Sequence, residues 1–222
     1  MIIAVVNETS AGHRNADVIA ALEGIKAQGH TIINAGMKDA GTNLPEGSPQ
    51  LSYIDTGFLS ALLLNSKRAD FIVGSCGTGQ GFFNAVCQFP NVFCGLVQES
   101  LDGWLFAQIN GGNCISLALN KGYGWAADVN LQFIFEKLFS VEFGAGYPAY
   151  RREAQAISRD QLSQVSIDTH LSFAQIVRKL DAAIVNNVLT FPGVWEILDV
   201  DTLEDKDLAE ALKARYAEAT AK

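Results

Sequence analysis

Residues 71–81, FIVGSCGTGQG, run an apolar strand directly into a turn with glycine at positions 77, 79 and 81. An apolar run stopped this abruptly needs a tight reversal, and glycine alone accepts the left-handed or crowded backbone that such a reversal uses. The segment therefore predicts a strand-to-helix junction, with main-chain N–H groups gathered at the start of the following helix. Cys76 and Thr78 ride on that junction, so a thiol and a hydroxyl face whatever anion the amides would hold.

Similar junctions recur along the chain. Residues 1–7 are apolar and β-branched, 17–28 carry helical spacing through Val18, Ala21, Leu22 and Ile25, and 30–35 read as a second strand. Residues 36–49, rich in Gly, Asn and Pro, read as a long loop, and 52–66 as a helix with an apolar face. Strands are expected at 70–74, 92–97 and 114–119, and helices at 81–87, 100–108 and 125–139. This alternation predicts an α/β protein with a Rossmann-like three-layer α/β/α arrangement and a mainly parallel five-stranded sheet. Ligands of such sheets sit outside the carboxyl ends of the strands, where Asn7, the turn at 75–81, Gln98 and Asn110 are expected. The pattern divides at a Gly/Pro/Tyr hinge. Residues 1–150 form the core, and 151–222 a helical extension, including an amphipathic helix at 171–187, that packs on the core or on a partner subunit.

At 222 residues and 49% hydrophobic content the chain can bury one sizeable core. No apolar stretch approaches the roughly 18 residues of a membrane span, and the start lacks a basic leader, so a cytoplasmic protein without membrane contact is expected. A net charge of −8 argues against nucleic acid as a partner. Cys76, Cys87, Cys94 and Cys114 form no C-x-x-C pair, which argues against a disulfide framework or zinc site and for mostly buried thiols. Any phosphate ester would depend on few cations, so Arg14, Lys121, Arg151 and Arg152 stand out, although any one arginine alone reads first as a solvated surface charge.

Two readings of the junction compete. Cys76 alone is a small buried hydrophobe, and Thr78 alone a helix cap. Together with Gly77, Gly79 and Gly81, the dipoles at the helix start favour a thiolate and a developing oxyanion. A thiolate removing a proton beside a carbonyl, opposite amides that hold the enediolate, is the minimum equipment for aldose–ketose isomerisation, with Thr78 passing a proton between adjacent oxygens. That route calls for no metal and no cofactor.

The runs GSCGTGQG, VFCGLVQE and NGGNCISLA, in this order and spacing across residues 1–157, resemble the ribose-5-phosphate isomerase B and galactose-6-phosphate isomerase family of sugar-phosphate isomerases. The resemblance implies a Rossmann-like subunit, a homodimer or higher homo-oligomer with shared active sites, and isomerisation of a phosphorylated sugar through an enediol. By similarity Cys76 is the catalytic base, Thr78 assists proton movement, and the backbone from Gly77 to Gly81 is the anion hole. Asn110 matches an asparagine that holds the enediolate. Arg151, or Arg152 in the neighbouring register, matches an arginine that clasps the phosphate across the dimer.

The chain also departs from that pattern. Asn7 and Glu8 stand where the family has Asp-His, and a carboxylate at Glu8 would repel phosphate; the added residues bring His13 and Arg14, which either reach the same site or are an exposed pair at a helix start. Ile109 replaces the histidine that opens the sugar ring, and Tyr147 replaces a second phosphate arginine. A different sugar phosphate, a linear substrate or a polyol-derived ketose would each fit, as would a non-catalytic sugar-phosphate binder or a subunit of a mixed assembly. A dinucleotide-binding module is a further alternative, with Glu99 about 20 residues beyond the glycines as ribose acceptor. Against it stand Pro90, which interrupts the helix, and the glycine spacing, which lacks the two-residue gap before the last Gly.

Overall fold

The computed structural model describes residues 1–39 and 46–221; residues 40–45 of the loop expected over 36–49 lie outside the described residues. Strand β1 (Ile2–Asn7) leads through a short 3-10 turn (Thr9–Arg14) into α1 (Asn15–Lys26), β2 (Thr31–Asn34), α2 (Tyr53–Asn65) and β3 (Phe71–Cys76). The glycine junction then opens α3 (Gln80–Val86), followed by β4 (Cys94–Val97), α4 (Ser100–Leu105) with a π-helical turn (Phe106–Asn110), β5 (Cys114–Ala118) and α5 (Ala127–Leu138). Beyond a 3-10 turn (Ala149–Arg151) come α6 (Arg152–Thr169), α7 (Phe173–Lys179), α8 (Ala182–Leu189), α9 (Val194–Leu198) and α10 (Lys206–Thr220). None of the described helices is long and apolar enough to cross a membrane.

The five strands form one sheet in the order β2-β1-β3-β5-β4, and every pairing is parallel. Period-two alternation sorts the side chains to its two faces. Ile3, Val5, Phe71, Val73, Ile115 and Leu117 belong to a core with α1 and α5, while Ala4, Val6, Ile72 and Cys76 belong to a second core with α2 and α3. This is the three-layer arrangement read from the sequence. Burial of each large side chain such as Phe58 or Phe71 contributes about 1.5–3 kcal/mol.

Helix α2 starts at a reciprocal cap: the Asp55 carboxylate accepts from Ser52 N at 2.8 Å, while the Asp55 amide donates to Ser52 Oγ at 3.3 Å. Beyond its exposed first turn it is buried over Asp55–Leu63, where Phe173, Val177, Val185, Val188, Leu208 and Leu212 from α7, α8 and α10 join its core on the side away from the sheet. Phe173 stacks on Phe58 with ring centroids 6.0 Å apart.

Several expected boundaries move. Strand β3 continues to Cys76 rather than stopping at residue 74, because Ser75 and Cys76 still pair with Leu117 and Ala118. Strand β4 begins at Cys94 rather than 92, since the Asn113 side chain already takes the Phe93 amide at 2.9 Å. The helix expected over 171–187 breaks at Leu180, where the Asp181 carboxylate accepts from Ala183 N at 2.8 Å and starts α8. Asn110 ends a helical turn that leads into β5, and in an all-parallel sheet such a connection lies at the amino-terminal edge. It is not at the carboxyl ends, where it was expected.

Candidate active site

In this strand order the chain runs from β1 to β2 on one side and from β3 onward on the other, so the crevice between β1 and β3 is the switch point. The Cys76 junction and the loop after Asn7 meet there, with Glu8 N donating to Ser75 O at 3.1 Å. Cys76 is the last residue of β3 and is only 6% exposed, with Sγ 4.0 Å from Thr78 Oγ1. Thr78 is exposed, and its hydroxyl also accepts from Gln80 N at 3.3 Å, so the helix-start role and the position beside the thiol coexist.

The glycines have separate reasons. Gly79 has φ +73°, a left-handed conformation costly for other residues, and a Cβ there would lie 2.9 Å from Leu96 Cδ1. Its carbonyl accepts from Ser116 Oγ at 2.6 Å. A Cβ at Gly77 would lie 3.0 Å from Asn120 Nδ2 and 3.1 Å from Ser10 Oγ, and one at Gly81 would lie 3.1 Å from the Tyr53 ring. The Gly77 amide is already spent on Ser10 Oγ at 3.1 Å. Among the described residues, the Thr78, Gly79 and Gly81 amides have no acceptor, which leaves them free to donate to a ligand.

Asn7 was expected to meet substrate, but it is 0% exposed. Its Oδ1 accepts from Ser75 Oγ at 2.7 Å and its Nδ2 donates to Asn15 Oδ1 at 2.8 Å, so it braces β1 against β3 beneath the site. Glu8 is half-buried, with one carboxylate oxygen accepting from both the amide and the hydroxyl of Ser10. His13 is exposed. Arg14 lies over the Tyr123 ring, 4.2 Å from its centroid, and 3.8 Å from Asp17. Tyr123 donates to Asp17 at 2.6 Å, and burial, then this carboxylate, push its phenol up from its ordinary range. Arg14 is thus engaged with Tyr123 and Asp17 beside α1.

Asn110 and Arg151 stand together at the opposite edge of the sheet. They line a cavity of about 540 Å³ with Ile109, Cys94, Arg159 and His170. Arg159 lines it while donating to Ile109 O at 2.9 Å and Gly144 O at 2.7 Å. Arg152 opens α6 and packs against Gly146, and the Tyr147 ring meets Trp104 edge-on at 5.0 Å. Within one chain the structure therefore joins Cys76, Thr78, Gly77, Gly79 and Glu8, and separates them from Asn110, Arg151 and Arg152. The thiols also divide. Cys114 is buried, but Cys87 is exposed, contrary to the reading of mostly buried cysteines. The neighbouring Cys94 thiol, then partial burial, push the Cys87 thiol up. Sequence reading missed Ser10, Tyr53 and Asn120, which all touch the glycine junction; the only trace of Ser10 is its place two residues after an acid, a helix-start pattern.

The model of the ribose/galactose isomerases matches residues 3–146, well over half of the chain. The chain belongs to the ribose/galactose isomerase family. This isomerase also resembles two solved structures along nearly its whole length. One is a 4-deoxy-L-threo-5-hexosulose-uronate ketol-isomerase complexed with tartrate, 33% identical over 97% of this chain and 99% of that one, with a TM-score of 0.89. The other is a ribose-5-phosphate isomerase from Vibrio parahaemolyticus, 36% identical with the same coverage and TM-score. A type B ribose 5-phosphate isomerase from Leishmania infantum shares the fold at 14% identity and a TM-score of 0.60, and 97% of its length covers 76% of this chain. No protein with a curated description matches the chain. The family isomerase is an intramolecular oxidoreductase that interconverts an aldose and a ketose.

Proposed function

We propose that this isomerase moves the carbonyl of an open-chain, acidic sugar by proton transfer through Cys76. The thiolate takes the proton from the carbon beside the carbonyl, and the electron pair moves onto the carbonyl oxygen to give an enediolate. The Thr78 and Gly79 amides face that oxygen, and Thr78 carries the hydroxyl proton from one oxygen to its neighbour. The thiol then returns its proton to the former carbonyl carbon, so no atom is gained or lost. The observation that carries this reading is the Cys76–Thr78 pair at 4.0 Å on the β1/β3 switch point.

A sugar acid, of the class named for the 33% identical uronate ketol-isomerase, is the preferred substrate. Ile109 supplies no imidazole for ring opening, which an open-chain keto acid does not need. The second reading is a phosphorylated aldose, favoured by the 36% identical ribose-5-phosphate isomerase. For either substrate the remote position of Asn110 and Arg151 supports an active site shared between two copies, each lending its amino-edge residues to the other's thiol. Solvent deuterium incorporation into 4-deoxy-L-threo-5-hexosulose-uronate and into ribose-5-phosphate separates the two: label in the uronate alone is expected, and label in neither removes the proposal.

A further inference from the structure

We propose that Glu8 and Ser10 are a positioning pair that fixes the Cys76 turn from outside the sheet, an inference that rests on the reading of Cys76 as the proton-transfer thiol. The direction of the chain of bonds is set by its ends. The Glu8 carboxylate can only accept, so it takes the Ser10 O–H and, at 3.0 Å, the Ser10 N–H. The Ser10 hydroxyl, with its proton committed, turns a lone pair to the Gly77 N–H at 3.1 Å. The negative charge at one end strengthens each bond along the chain.

The other side of the same peptide units is held by the segment after β5. Leu119 N donates to Cys76 O at 3.1 Å, and Asn120 N and Lys121 N donate to Gly77 O at 3.0 and 2.8 Å. Asn120 Nδ2 then reaches back to Ser10 O at 3.0 Å and closes the clamp. The carbonyl of Cys76 and both polar groups of Gly77 are therefore tied down, so the thiol is carried on a peptide with no freedom to rotate. Removing the Ser10 hydroxyl frees the Gly77 amide at the one point where this clamp depends on a side chain of the β1 loop. Glu8, read from sequence as meeting substrate, acts here through Ser10.

The test compares Ser10→Ala, Ser10→Thr, Glu8→Gln and Cys76→Ala by steady-state isomerisation of the uronate and of ribose-5-phosphate, together with amide hydrogen exchange at Gly77. Ser10→Ala is expected to lower kcat about 10- to 100-fold with KM within about twofold, because a misplaced reacting group costs turnover and not binding. Ser10→Thr should restore most of it, Glu8→Gln should fall between, and Gly77 exchange should speed up in Ser10→Ala with the melting temperature of the fold retained. Wild-type kcat and unchanged Gly77 exchange in Ser10→Ala overturn the inference, as does a Ser10→Thr variant no better than Ser10→Ala. If Ser10→Ala folds poorly, Glu8→Gln decides, and a wild-type rate with unchanged Gly77 exchange in that variant overturns it. An inactive Cys76→Ala beside an unaffected Ser10→Ala removes the positioning pair alone, whereas a fully active Cys76→Ala removes the thiol reading and this inference with it.

Discussion

Under the proposed mechanism, a single sulfur atom separates the proton-transfer chemistry from an ordinary strand end. Replacing Cys76 with Ala should lower turnover by about 10²- to 10⁴-fold, the range for a positioned acid–base group, and cost only about 1 kcal/mol in stability, because little apolar surface is lost. Rate and thermal melt measured on the same preparation check both halves. Gly79→Ala should instead destabilise the fold, since at φ +73° a Cβ is strained and meets Leu96. Cys87, although exposed, should react slowly with iodoacetamide at pH 8. Its raised pKa leaves little thiolate, the reactive form, and Cys94→Ala should speed the labelling. The glycine spacing made the Cys76 turn legible in the sequence, because three glycines in alternate positions have few other uses. The acceptor for Gly77 was not legible: Ser10 and Asn120 come from distant segments that only the parallel register of β1, β3 and β5 brings together.

Among the elements, α2 shows how far an amphipathic reading reaches. Its buried residues Phe58, Leu59, Ala61, Leu62 and Leu63 circle the helix rather than mark one face. A helix apolar all round needs cover on both sides. The sheet supplies one side and α7, α8 and α10 the other. Leu62→Ala should therefore cost about 2–5 kcal/mol, as for a leucine fully enclosed in a core, measured by urea unfolding. Helix α6 differs, with Ile157, Leu162, Val165 and Ile167 between 52% and 61% exposed and only Ser166 buried. The strand and helix order was readable because each element carries its own periodicity. The edge on which Asn110 falls was implicit in that order, because a residue just before a parallel strand lies at its amino end, and the expectation at the carboxyl ends misread it.

At the scale of the molecule, the thiol and its expected partners Asn110 and Arg151 occupy opposite edges of one sheet. Under the shared-site proposal, mixing Cys76→Ala with Asn110→Ala after joint unfolding and refolding should give activity above either variant alone. Two separate sites within each chain would give none. A second consequence follows from β3, which lies between β1 and β5 and keeps its pairing out to Cys76 itself. The proposed proton-transfer thiol, held at the end of a central strand that is paired on both sides through Ser75, cannot fray away ahead of its surroundings. Heat inactivation should therefore coincide with the global melt, and the enzyme should lose its activity and its shape in one step.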